Sequence, residues 1–213
     1  MAHARRSWLR DNGLTLVLLA LFLVSILGQV FAGHAAENRE RLQEGLSAQS
    51  LGLYVASGAF LSSVFENWES EFLQMWAYVM LTAYLFQRGS PESRDPDHEE
   101  VRPGEEPGAL RTLGDRIYAH SLGIALLGLF VTSFLLHWAN SARHAGEKAM
   151  QLGEPAPTLI QYLGEPQLWF ESFQNWQSEF LSAAILIALG IFLRERKSSE
   201  SKAVGDPDAK TGA

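Results

Sequence analysis

The 213-residue sequence contains no cysteine, which removes disulfides, thiolate chemistry, Cys-ligated zinc, iron–sulfur clusters and covalently attached haem together. It has no basic surplus either. Seventeen Lys and Arg stand against 24 Asp and Glu, a net charge of -7, so no electropositive surface suits a nucleic acid. A Gly-rich phosphate loop, a nucleophile elbow and a zinc-protease motif are absent in the contexts they require. No two histidines stand at metal-ligand spacing on one predicted helix, so neither a metal nor another cofactor is expected. What the chain does have is a blockwise pattern of long apolar runs alternating with charged stretches, which a soluble amphipathic fold has no reason to adopt.

The first apolar run, Leu14 to Gly33, supplies the roughly 20 residues a helix needs to cross hydrocarbon. Further runs at Phe72–Phe86, Ile117–Trp138 and Phe180–Leu193 complete a set of four. Shifting the sequence by 108 positions without a gap lays Leu14 on Leu122, Gly45 on Gly153, Tyr54 on Tyr162 and FENWESEFL on FQNWQSEFL. The first run has the basic flank and apolar centre of a signal peptide. Its counterpart lies mid-chain, however, which favours a retained helix. The expected fold is therefore all-α and polytopic, four transmembrane helices formed by a tandem parallel repeat of a two-helix unit.

The expected division is a first repeat over residues 1–87, with crossings at about 14–33 and 67–86 around an outer segment 34–66. A linker over 88–115 and a second repeat over 116–196 follow, the latter with crossings at about 117–138 and 175–193 around an outer segment 139–174. Residues 197–213 form a tail. Arg5, Arg6, Arg10, Arg88, Arg94, Arg102, Arg111, Arg116, Arg194 and Arg196 all fall on one side of this scheme. Basic residues are retained in the cytoplasm, so both termini are expected there. The linker carries Pro91, Pro96, Pro103 and Pro107 amid acidic residues and reads as flexible; the small, polar tail reads as disordered. Gly45 and Gly153 read as helix stops.

The most specific feature is the repeated octet, Phe65–Phe72 and Phe173–Phe180, placed by the shortness of the fourth run at the outer membrane boundary. Asn67, Ser70 and Glu71 share one helical stripe, as do Asn175, Ser178 and Glu179. Glu66 and Glu69 become Gln174 and Gln177, so the carboxylate persists in both copies only at Glu71 and Glu179. The leading reading is structural, with Trp68, Trp76, Trp138 and Trp176 as interfacial anchors and carboxylates in a first helical turn. Ser63 with Glu66 resembles a capping box. A second reading makes the stripe an interhelical hydrogen-bond surface. A third makes Glu71 and Glu179 a proton or cation site, with His137 as partner. His137 corresponds to Gln29, which argues for hydrogen bonding, and His34, His120 and His144 also lack His counterparts.

ENWESEFLQM at Glu66–Met75, FESFQNWQSEFL at Phe170–Leu181, and RGSPES at Arg88–Ser93 echoed by RKSSES at Arg196–Ser201 resemble a family of small bacterial membrane proteins of unknown function. The similarity covers nearly the whole chain. It implies a four-helical membrane protein in a bacterium and brings no catalytic residue, cofactor or partner. The expected role is that of a non-enzymatic structural or interaction component of the cytoplasmic membrane, with the lipid bilayer and a second copy as partners. The alternative is a small proton or cation channel or transporter using the paired carboxylates.

Overall fold

In the computed structural model, residues 8–97 and 111–212 are described; Arg5, Arg6, Arg102, Pro103 and Pro107, invoked above, lie outside them. The described residues form eight α-helices and no strand: α1 (Trp8–Asp11), α2 (Gly13–Gln43), α3 (Leu51–Val55), α4 (Gly58–Tyr84), α5 (Leu113–Ala119), α6 (Ser121–Gln151), α7 (Leu159–Tyr162) and α8 (Pro166–Phe192). Two compact units divide the chain, residues 1–61 and 62–213.

Three of these helices, α2, α6 and α8, are long and apolar enough to cross a membrane, where the sequence predicts four. The missing one is α4, and its composition explains why. Glu66, Glu69 and Glu71 crowd its octet, whereas α8 carries Gln174, Gln177 and Glu179 at that register. Further along, Gln74, Tyr78, Thr82 and Tyr84 of α4 stand where α8 has Ser182, Leu186, Gly190 and Phe192.

In the first unit, α2 buries none of its side chains. It ends in a Schellman turn: Gly45 takes φ 76°, Leu46 N donates to Arg41 O at 2.8 Å and Gly45 N to Leu42 O at 3.2 Å. The chain then returns along α2, held by Asn38. Its Oδ1 accepts from Gln49 N at 2.8 Å and its Nδ2 donates to Gln49 O at 3.1 Å. Ser50 caps α3, which delivers a buried Tyr54 against Phe60, ring centroids 5.3 Å apart. Gly33 opens the niche for that phenol, since a Cβ there would lie 2.1 Å from Tyr54 Oη.

In the second unit, His120 breaks the predicted third crossing, so Ile117 belongs to α5 and the long helix starts at Ser121. Thr112 and Asp115 form a capping box on α5. The Thr112 backbone amide, then its hydroxyl, hold the Asp115 carboxyl below its ordinary value. A depressed acid contributes stability above the usual carboxylate range and loses it as pH falls through the lowered value. The protection of the Arg116 amide, measured against its intrinsic exchange rate at each pH, should therefore fall on acidification, and an Asp115→Asn chain should lack that acid step.

The α6 helix closes in the same turn as α2, with Gly153 at φ 72° and Glu154 N donating to Ala149 O at 2.9 Å. The α7 helix carries a second capping box, Thr158 with Gln161, and seats a buried Tyr162 with Ala142 and Leu168 in a small core flanked by Trp138. Losing that cap by Thr158→Ala should cost about 0.5–2 kcal/mol, read as a lowered midpoint of thermal unfolding in detergent. The predicted Ser63 cap is not one. The α4 helix already starts at Gly58, and Ser63 O accepts from Asn67 Nδ2 at 2.7 Å inside it.

The tail, expected to be disordered from its composition, is instead folded into turns through residue 212. Lys202 explains this. Its ammonium is buried and donates to Gly89 O at 2.6 Å, Asp208 O at 3.0 Å and Lys210 O at 3.2 Å. It thereby fastens the tail to residues 87–97 of the linker, where Ser90 and Ser93 are buried. Composition misses this because one lysine supplies the contacts that apolar residues would otherwise make. Lys202→Met leaves three carbonyls without their donor. Limited proteolysis should then remove the tail at least several-fold faster than from the unaltered chain.

Candidate functional site

Helix α6 places Ser133, His137 and Ser141 at i, i+4 and i+8, one buried stripe of short and polar side chains. Small residues on that face leave room for α4 and α8 to approach. Five aromatic rings hold α6 to α8 at this level. Phe130, Phe134, Trp169, Phe173 and Trp176 form a closed circuit with successive centroids 5.3 to 6.3 Å apart. Such pairs contribute about 0.5–1.5 kcal/mol each beyond their burial.

His137 is completely buried, and both ring nitrogens meet carboxylates. Nδ1 lies 2.7 Å from Glu69 Oε2, and Nε2 lies 3.2 Å from Glu171 Oε2. Two carboxylate oxygens facing two ring nitrogens need two protons between them, so the group is a shared-proton chain across three helices. Glu69, also fully buried, receives the Trp176 indole N–H on Oε1 at 2.9 Å. Gln167 Nε2 donates to Glu171 Oε1 at 2.8 Å. Asn175 Nδ2 donates to Glu66 Oε1 and, at 3.1 Å, to Glu171 O. Each carboxylate is thus aimed by a neutral donor from α8.

Glu66, His137 and Glu171 each present a ligand-capable atom within 4.8 Å of the others. Tyr162 is a neighbour of the cluster: burial first, then the charges of Glu171 and Glu165, push its phenol to about 12. It remains a neutral hydroxyl at physiological pH. Ser141 and Ser172 are buried beside these residues in sequence, and their Oγ atoms have no hydrogen-bond partner among the described residues.

Of the residues singled out by the sequence, His137, Asn175 and Trp176 enter this cluster. Asn67, Ser70 and Ser178 turn back on their own helices: Ser70 Oγ donates to Asn67 O at 2.9 Å and Ser178 Oγ to Asn175 O at 2.8 Å. The octet stripe is therefore not interhelical glue, except at Asn175. Glu71 is exposed and Glu179 half-buried, each the other's charged neighbour, and neither hydrogen-bonds His137. Trp176 and Trp138 spend their indole N–H groups inside the protein, on Glu69 and on Leu159 O at 3.0 Å. Trp68 stacks edge-on against Phe65. Trp76 is half-buried in α4.

Sequence reasoning passed over Glu66, Glu69 and Glu171, though a usable signal was there. Under the 108-residue shift these positions face Gln174, Gln177 and Ser63, and His137 faces Gln29. The ionisable cluster consists of the positions at which the aligned stretches differ. Identical positions maintain the helices; divergent ones build the site.

A family model matches residues 5–213. The chain belongs to that family, described as a domain of unknown function, DUF6766. No curated protein and no solved structure matches the sequence. The site is therefore read from its own chemistry.

Proposed function

We propose that this DUF6766 chain is a four-crossing protein of the bacterial cytoplasmic membrane that carries a cation through the buried Glu69–His137–Glu171 site. One observation carries the reading: an imidazole on α6 without solvent exposure is gripped by a carboxylate from α8 and another from α4, and α6 and α8 are apolar enough to cross a membrane. Ionisable groups at membrane depth are costly and mark ion pathways. A purely structural role fits poorly, because well-packed apolar residues of similar volume commonly do as well or better than a buried ion pair.

Several features support four crossings by duplication. The bounds of α2, α3 and α4 begin at residues 13, 51 and 58, and those of α6, α7 and α8 at 121, 159 and 166, the same 108-residue offset as the sequence. The turns after α4 and α8 match as well. Gln87 N donates to Ser93 Oγ at 2.8 Å and Glu195 N to Ser201 Oγ at 2.9 Å, while Gly89 and Lys197 both take positive φ. On this reading α4 crosses as α8 does, with Glu69 buried and Glu66 half-buried against its partners, and both termini are cytoplasmic by the distribution of Arg and Lys. The uncovered apolar face of α2 favours lipid or a second copy against it.

Proteoliposomes carrying a cation-sensitive or pH-sensitive dye test the transport reading. Flux above that of empty vesicles, reduced at least tenfold by His137→Gln or Glu69→Gln, is the expected result. Wild-type vesicles that conduct neither protons nor metal cations end it.

A further inference from the structure

Resting on the cation reading above, we propose that the ion is a divalent transition metal, bound by His137 Nε2 and the carboxylates of Glu171 and Glu66, with Glu69 holding the imidazole from behind. The spacing fits. Metal–ligand bonds of roughly 2.0–2.2 Å separate adjacent ligand atoms by roughly 3.0–3.5 Å. The 3.2 Å between His137 Nε2 and Glu171 Oε2 lies inside that range. Glu66 adds a carboxylate oxygen to this pair of residues, one ligand-capable atom from each of the three lying within 4.8 Å of the others.

The surrounding shell is built as metal sites require. A ligating histidine ordinarily gives its other ring N–H to a carboxylate, which sets the tautomer and raises ligand basicity. Glu69 Oε2 stands 2.7 Å from Nδ1 for that purpose, and the Trp176 indole fixes Glu69 in turn. Gln167 holds Glu171 by Oε1, the oxygen that does not face the imidazole, and Asn175 holds Glu66 by Oε1. A second observation points to a further ligand. Ser141 lies one turn beyond His137 on the buried face of α6, and its hydroxyl has no hydrogen-bond partner among the described residues. A metal-bound water between them would satisfy it.

The donor set selects the ion class. One imidazole with two carboxylates suits Mn, Fe, Co or Zn, whereas Mg and Ca prefer oxygen alone. On binding, the Nε2 lone pair takes the metal and the proton it shared with Glu171 leaves to solvent, with no redox change. Charge also favours a dication, because Glu66, Glu69 and Glu171 surround a single imidazole.

The test uses the full chain in detergent, stripped with a chelator and titrated with cobalt(II) followed by its visible absorption, and with manganese(II) followed by paramagnetic resonance. Expected are one ion per chain, loss of binding in His137→Gln and Glu171→Gln, and about 10–100-fold weaker binding in Glu69→Gln. Millimolar calcium should not displace the cobalt. His137→Gln introduces the residue found at Gln29 in the same register, and its gel-filtration profile checks that it folds. If that variant does not fold, the Glu69→Gln affinity decides. Cobalt that is not retained, or is retained equally by a folded His137→Gln or by Glu69→Gln, overturns the inference. Proton flux without metal retention overturns it while leaving the transport reading intact; retention without any flux does the reverse.

Discussion

His137→Leu should destabilise the second unit by about 3–5 kcal/mol, because it leaves a fully buried Glu69 carboxylate facing an apolar side chain. The Trp176 indole alone cannot replace the lost partner, since one neutral donor stabilises a buried charge far less than an imidazolium does. The informative comparison is the pair of changes together. His137→Leu with Glu69→Leu removes both charged groups and should recover most of the loss, so the two changes should be strongly non-additive. Chemical unfolding of the detergent-solubilised protein, followed by circular dichroism, measures all three chains. A double variant as unstable as the sum of the singles would mean that the imidazole and the carboxylate are not coupled.

Gly33→Ala should be nearly as damaging, although it adds a single methyl group. The new Cβ would sit 2.1 Å from Tyr54 Oη and 3.1 Å from Cζ, so the phenol must leave its buried niche. Expelling an aromatic ring costs about 2–4 kcal/mol, more than the gain in helix propensity from replacing glycine, about 1 kcal/mol. Five residues earlier on the same helix, Gly28→Ala meets nothing within 4 Å and should stabilise slightly. Opposite signs for the same substitution isolate packing from propensity. Adding Tyr54→Phe to Gly33→Ala removes the closest clash and should restore part of the loss. Thermal unfolding midpoints of the four chains test this.

The long helices were legible in the sequence because apolar content over about 20 residues is a strong signal, and the stops at Gly45 and Gly153 because positive φ favours glycine. The starts of α4 and α8, at residues 58 and 166, lie well before the crossings expected from about 67 and 175. Polar residues in the octet looked like a boundary, whereas Glu66 and Glu69 are tolerated inside α4 by partners on other helices, which no local pattern can report. The same limit governed the site. Glu71 and Glu179 attracted notice as identical acids in two copies, but helix rotation leaves Glu71 exposed and turns Glu69 inward to His137. Order in the tail depends on one lysine reaching carbonyls as distant in sequence as Gly89.

The indole of Trp176 touches Glu69, one of the two carboxylates that hold the imidazole, and it lies edge-on to Phe173. Any rearrangement around Glu69 must therefore alter the polarity and hydrogen bonding felt by that chromophore. The protein carries its own optical gauge: intrinsic fluorescence should change as the pocket fills, and a Trp176→Phe chain should lose that component of the signal.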